Sequence, residues 1–314
     1  TPLNHEDPVI ITTELDGSVR NYGVERYRDL EQHHLEPIAA EERPDGAYLA
    51  VRTINSGHEV VIRSRSRVTG VEAPERVVDS TADRVCETFT ANARSGESVT
   101  LRKIVAICSD LDADLLEQYE SVGAAADSIV SSLPSLEELE EEHAAEWSDL
   151  WEAADVRIEG DRFAQRAVRL HAYHLLTTAS LRTVGLDVGL PARGLHGEAY
   201  RGHIFWDELF TMPFYLLRLQ QVAKNHLVYR YRRLDKAREL ANENGYKGAM
   251  YPWQSADTGG PESQELHYNP RSGEWDPDLS NLQRHIGISI AYDVFTYFYV
   301  THDAEFMNEY GLEM

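Results

Sequence analysis

Between Gly194 and Leu209 the sequence reads GLHGEAYRGHIFWDEL, which sets aromatic rings, carboxylates, a His and an Arg beside conformationally permissive glycines. A pyranose offers apolar C–H faces and a rim of hydroxyls, so a site that grips one needs a planar side chain and bidentate acceptors. Trp206 and Asp207 supply both at adjacent positions. The competing reading is an ordinary helix core of Ile204, Phe205, Leu209 and Phe210 with Trp206 as filler, and spacing alone does not separate the two. A second stretch tips the balance. Residues 251–260 read YPWQSADTGG and residues 262–285 read ESQELHYNPRSGEWDPDLSNLQRH, again polar, aromatic and rich in hydrogen-bonding groups. Two such segments in one chain are hard to explain as packing.

Together, PARGLHGEAYRGHIFWDELFTMPF at 191–214, YPWQSAD at 251–257 and the interval between them resemble glycoside hydrolase family 65. That family comprises phosphorylases and hydrolases of maltose, trehalose, kojibiose and related α-glucosides. The resemblance is close over roughly 150–314 and looser before it. It implies inverting phosphorolysis of an α-glucosidic disaccharide to β-glucose 1-phosphate, with phosphate as co-substrate and no cofactor or metal. A hydrolase of the same family using water is the first alternative; a non-catalytic carbohydrate-binding protein is the alternative of another class. It further implies that Trp206 and Asp207 hold the glucosyl unit, with Trp253, Gln254, Ser255 and Asp257 as a wall of the same pocket. Arg201 and His203 are expected to orient Asp207 or touch the sugar, or else to form structural ion pairs. Asn281 and His285 are further candidates from a long polar connection.

Glycoside cleavage needs a proton donor for the departing oxygen and a nucleophile or base opposite. Glu198, Asp207, Glu208, Asp257, Glu262 and Glu265 are the carboxylates at hand, and none is assigned as the acid. The family places its acid in a motif resembling GPDEYH that does not occur here, so by that comparison the donor is expected beyond Met314. His171, His174 and His226 lie in helical patterns and read as structural. No H-E-x-x-H or comparable metal-ligand spacing occurs.

The elements that must position these residues are legible in outline. At 314 residues, with 42% apolar and 26% charged, the chain is long enough for more than one globular domain. Fifty-three acidic against 30 basic residues give a net charge of -23, and the lysines are only Lys103, Lys224, Lys236 and Lys247. This disfavours binding to nucleic acid or anionic membranes and suits a salt-rich interior. No apolar run approaches a membrane span, and Cys86 and Cys108 sit in strand-like surroundings as reduced thiols, so a cytoplasmic protein is expected. The family often forms dimers, which makes a homodimer an expectation.

Residues 1–110 alternate short β-rich runs (PVIITT, AYLAVRT, HEVVIRS, SVTLRKIVAI) with turn signals at ERPDG and NSG, predicting a partial antiparallel β-sandwich. In the last run Val99, Leu101, Lys103, Val105 and Ile107 share one face. Residues 111–160 turn acidic and helical, with Ser135 and Glu138 spaced as a capping box, and read as linker helices. Residues 161–314 predict helices separated by motif loops. These include one from about Ala223 to Gly245, striped by Leu227, Tyr231, Leu234 and Ala241, and another from about Leu279 to Val300. The resemblance implies that these are the first helices of an (α/α)6 barrel. The chain is thus expected to be a multidomain β-plus-α piece of a larger protein.

Overall fold

Alternation in RVCETFTA at 84–91 turns Val85, Glu87, Phe89 and Ala91 inward and leaves Arg84, Cys86, Thr88 and Thr90 less buried. The same rule builds the first part of the computed structural model, which describes residues 8–20, 33–94, 96–194 and 200–314. Its strands are β1 (Val9–Asp16), β2 (Leu35–Arg43), β3 (Gly46–Thr53), β4 (Glu59–Thr69), β5 (Glu75–Ser80), β6 (Arg84–Ala91) and β7 (Thr100–Ser109). They form two antiparallel sheets, β1-β6-β5 and β2-β3-β4-β7. The ERPDG signal is the two-residue turn between Arg43 and Gly46.

A core of Leu15, Ala47, Leu49, Val51 and Val85 draws on both sheets and makes them a sandwich. The outer face of the larger sheet is covered as well. There Ala50, Val61 and Cys108 pack on Val122 and Ala126 of α2 (Val122–Ser132), which follows the single turn α1 (Ala113–Leu116). This cover decides which face of β7 is buried at that end. Val105 and Ile107 are exposed, while Ala106 and Cys108 on the opposite side are buried, because α2 rather than the other sheet supplies the apolar partner at that end.

The chain divides into two compact units that change over between Leu136 and Glu137. The segment read as one linker is therefore shared, α2 lying on the sandwich and α3 (Leu136–Ala154) belonging with the helices. In the second unit follow α4 (Arg162–Thr178), α5 (Glu208–Arg218), α6 (Gln220–Tyr231), α7 (Leu234–Glu243), a hairpin of β8 (Leu266–Asn269) and β9 (Glu274–Pro277), α8 (Ile286–Thr301) and the short α9 (Ala304–Phe306). Asp161 caps α4 by accepting from the amides of Phe163 and Ala164.

Two predicted helices are divided. The one expected from Ala223 to Gly245 breaks at Arg232 and Arg233, where the Arg233 guanidinium is drawn to the carboxylate of Asp187 and the carbonyls of Tyr229 and Asp257. The one expected from Leu279 begins only at Ile286, because Asp278 caps a separate 3-10 turn at Leu279–Leu282. Leu176, Met212, Tyr215, Leu216, Leu227, Val294 and Phe306 make the main core, and Leu234, Ala237, Tyr251, Ile286 and Ile290 a second one next to Trp206 and Trp253.

Candidate functional site

Extended backbone at Ile204 joins the two motif segments. Its amide donates to the Ser255 carbonyl at 2.8 Å and its carbonyl accepts from the Ser255 amide at 3.0 Å, while its other edge bridges to Pro191. Residues 203–207 and 253–257 are thereby neighbours. Gln254 Nε2 lies 2.7 Å from His203 Nδ1, and Arg201 donates to the Glu262 carbonyl at 3.4 Å. The turn into this pairing is strained. Tyr200 and Arg201 adopt φ of 57° and 55°, left-handed values that cost a non-glycine residue about 1 kcal/mol each, before Gly202 at 68°. Such strain persists only where surrounding contacts enforce it.

Trp206 packs edge-on to the His285 ring at 4.5 Å between centroids and to Phe210 at 5.1 Å. Trp253 meets the same His285 ring at 5.6 Å and Phe205 at 5.6 Å. One imidazole thus links the indoles of both motifs. Its Nε2 and the Ser255 hydroxyl are buried with no partner among the described residues, so a polar ligand reaching them would satisfy groups that are otherwise unbonded.

Asp207 immediately precedes α5 and makes no capping bond to the helix, leaving its carboxylate oxygens as acceptors. Burial raises its pKa above the ordinary aspartate value. Asp207 opens on a cavity of about 400 Å³ shared with His171, His174 and Thr178 of α4, Arg193, and Thr211 of α5. Neither Trp206 nor residues 253–257 line that cavity. The expected single pocket is thus divided into a chamber on the Asp207 side, where Leu175, Leu190, Pro191 and Tyr215 join the polar groups, and an aromatic layer formed by Trp206, His285 and Trp253.

Of the remaining carboxylates Glu208 lines the same cavity, and the others fall elsewhere. Glu208 is buried and bonded to Arg230; burial pushes its pKa up and Arg230 opposes that. Asp257 is exposed, and it is its carbonyl that Arg233 holds, rather than its side chain bonding to nearby backbone. Glu262 and Glu265 are exposed, and Glu198 lies outside the described residues. Asn281 is exposed, its carbonyl accepting from Arg284. His226 is buried with both ring nitrogens unpartnered among the described residues, and burial lowers its pKa to about 3, so it is a neutral core residue. Among the described residues no group of three or more His, Cys, Asp or Glu could hold a metal ion, and no helix is long and apolar enough to cross a membrane.

Reading from sequence passed over His171, His174 and Arg193 as lining residues and over the buried cluster of Glu208, Arg230 and Asp293 beneath Asp207. Arg230 carried a signal. It falls three residues after Leu227 and four before Leu234, so a charge interrupts the apolar stripe of the α6–α7 segment.

Residues 1–150 match the N-terminal domain of glycosyl hydrolase family 65, and residues 169–314 match that family's central catalytic domain. An uncharacterized glycosyl hydrolase of Mycobacterium tuberculosis is 40% identical over 96% of this chain, a trehalose 6-phosphate phosphorylase of Lactococcus lactis 34% over 97%, and a kojibiose phosphorylase of Halothermothrix orenii 33% over its whole length. The chain spans only 22%, 38% and 40% of those relatives. The solved structure of a putative kojibiose phosphorylase from human microbiome superimposes with a TM-score of 0.74 at 18% identity, covering 98% of this chain and 38% of the other, which shows a shared fold.

Proposed function

Since the chain belongs to glycosyl hydrolase family 65, we propose that the complete protein cleaves an α-glucosidic disaccharide by inverting phosphorolysis, giving β-glucose 1-phosphate and a free sugar. The glucosyl unit lies against Trp206 with its hydroxyls donating to Asp207. His203, Arg201, Gln254, Ser255 and Trp253 support that pair, and Asp257 and His285 complete the surroundings. The observation that carries the reading is the Ile204–Ser255 pairing, which brings the two motif segments together beside the cavity on which the half-buried Asp207 opens. Two relatives named as phosphorylases support phosphate as the acceptor.

In this reaction phosphate oxygen bonds to the anomeric carbon from the face opposite the departing oxygen. The bond to that oxygen breaks and a carboxylic acid delivers its proton there. No carboxylate of this chain takes that role in the proposal; the acid comes from the length over which the longer relatives extend, together with the rest of an (α/α)6 barrel. Inorganic phosphate is the co-substrate, and no other cofactor is required. The reading places the enzyme in the cytoplasm, where phosphate is plentiful and thiols such as Cys86 and Cys108 stay reduced.

The test incubates the complete protein with trehalose, trehalose 6-phosphate, maltose, nigerose and kojibiose, with and without phosphate, and assays glucose 1-phosphate. Phosphate-dependent formation of the β anomer is expected. Turnover indifferent to phosphate would assign hydrolysis instead, the reading favoured by the name of the M. tuberculosis relative. Sugar binding with no turnover would assign a non-catalytic binder.

A further inference from the structure

The last turn of α6 touches both motif segments from beneath. Arg230, 2% exposed, donates from Nε to the Glu208 carboxylate and from its terminal nitrogen to the Phe205 carbonyl at 2.6 Å. Those acceptors flank Trp206 and Asp207 in sequence, so one planar guanidinium fixes the span that holds the pair. Beside it, the Tyr229 hydroxyl donates to the Ala256 carbonyl at 2.8 Å, and Arg233 Nε donates to the Asp257 carbonyl at 2.9 Å. Arg233 is itself held by the Asp187 carboxylate at 2.8 and 3.2 Å, and the Arg230 carbonyl accepts from Tyr251. The end of α6 and the break after it therefore set the register of 205–208 through Arg230 and of 256–257 through Tyr229 and Arg233.

We infer that Arg230 is a positioning residue for the sugar site, acting through Phe205 and Glu208 on Trp206 and Asp207; the inference rests on the function proposed above. A buried ion pair adds little net stability over apolar residues of the same volume, whereas the planar fork specifies geometry that a point charge does not. Arg230 does not line the cavity that Asp207 opens on, so its effect on a sugar is indirect.

The test uses the complete protein and two variants, with melting temperature, kcat and KM measured per folded molecule. Arg230→Lys keeps a cation for Glu208 but cannot also hold the Phe205 carbonyl in the same fork. Arg230→Met with Glu208→Met removes both charges at similar volume. Misplacing a binding pair by a fraction of a side-chain length lowers kcat/KM by roughly 10- to 100-fold. Most of that loss is expected in kcat, because the misplaced contacts are the ones that strengthen in the transition state. Both variants are expected to lose turnover in this way, the double variant while melting near the wild type. Wild-type kcat and KM in Arg230→Lys, with only the melting temperature changed, would make the ion pair structural and overturn the inference. Should the double variant not fold, Arg230→Lys decides alone. A wild-type protein that splits no α-glucoside removes the functional reading and this inference together, a result distinct from variants that match an active wild type.

Discussion

Asp207 stands at the start of α5 with its carboxylate half-buried and unused by the helix, and any sugar held there depends on it as an acceptor. Replacing it with Ala in the complete protein is expected to lower kcat by roughly 100-fold or more, since hydroxyl contacts that strengthen in the transition state supply several kcal/mol. Near-normal steady-state rates would discard the assignment. Asp293 of α8, 2% exposed, gives a prediction about stability. Burial, then the charge of Glu208, raises its pKa to about 7 while Arg230 opposes. Between about pH 4 and about pH 7 the folded state keeps a proton that the unfolded chain has lost, so stability from this group falls as pH rises through that window and is gone above it. Asp293→Asn is expected to flatten that slope and to raise stability at pH 8 by on the order of 1–3 kcal/mol, read from melts at several pH values. An unchanged pH profile would contradict it. That the two motif segments belong together was legible from their shared aromatic and polar residue types. The pair of Glu208 and Arg230 was not, since apolar periodicity reports what is buried but not which charges are buried in pairs.

At the level of elements, the break between α6 and α7 matters most, because Arg233 can hold the second motif only where the helix opens. Gly259 lies over that side chain at φ 76°, and a Cβ there would come 2.7 Å from Arg233 Cγ. Gly259→Ala is therefore expected to cost about 1–3 kcal/mol in chemical denaturation and to raise KM, by displacing the turn that carries Ser255 and Asp257. A melting point within error of wild type would show that the turn adapts. The break was hidden in the sequence because the apolar stripe runs through it; the contacts that open it come from Asp187, far along the chain. Strand positions in the sandwich were plain from alternation. Which face is buried at the end of β7 was not, since alternation marks two faces but not which will be covered by α2.

For the molecule as a whole, α8 presents Ile288, Tyr292, Phe295 and Tyr299 along one exposed face, between 58% and 75% accessible. Contiguous apolar surface of this kind is normally covered in a stable protein. The 314-residue chain by itself is expected to self-associate and to bind an apolar dye, and the complete protein is not; light scattering and dye fluorescence on both would show it. Equal dye binding by the two would mean that the face is free in the complete protein as well. The central claim is that Trp206 and Asp207 grip one glucose ring, and the most direct measurement is a crystal structure of the complete protein with glucose bound. The account predicts a pyranose against the Trp206 indole with hydroxyls within hydrogen-bond reach of the Asp207 carboxylate. Glucose seated elsewhere, with Asp207 bonded only to protein, would contradict it.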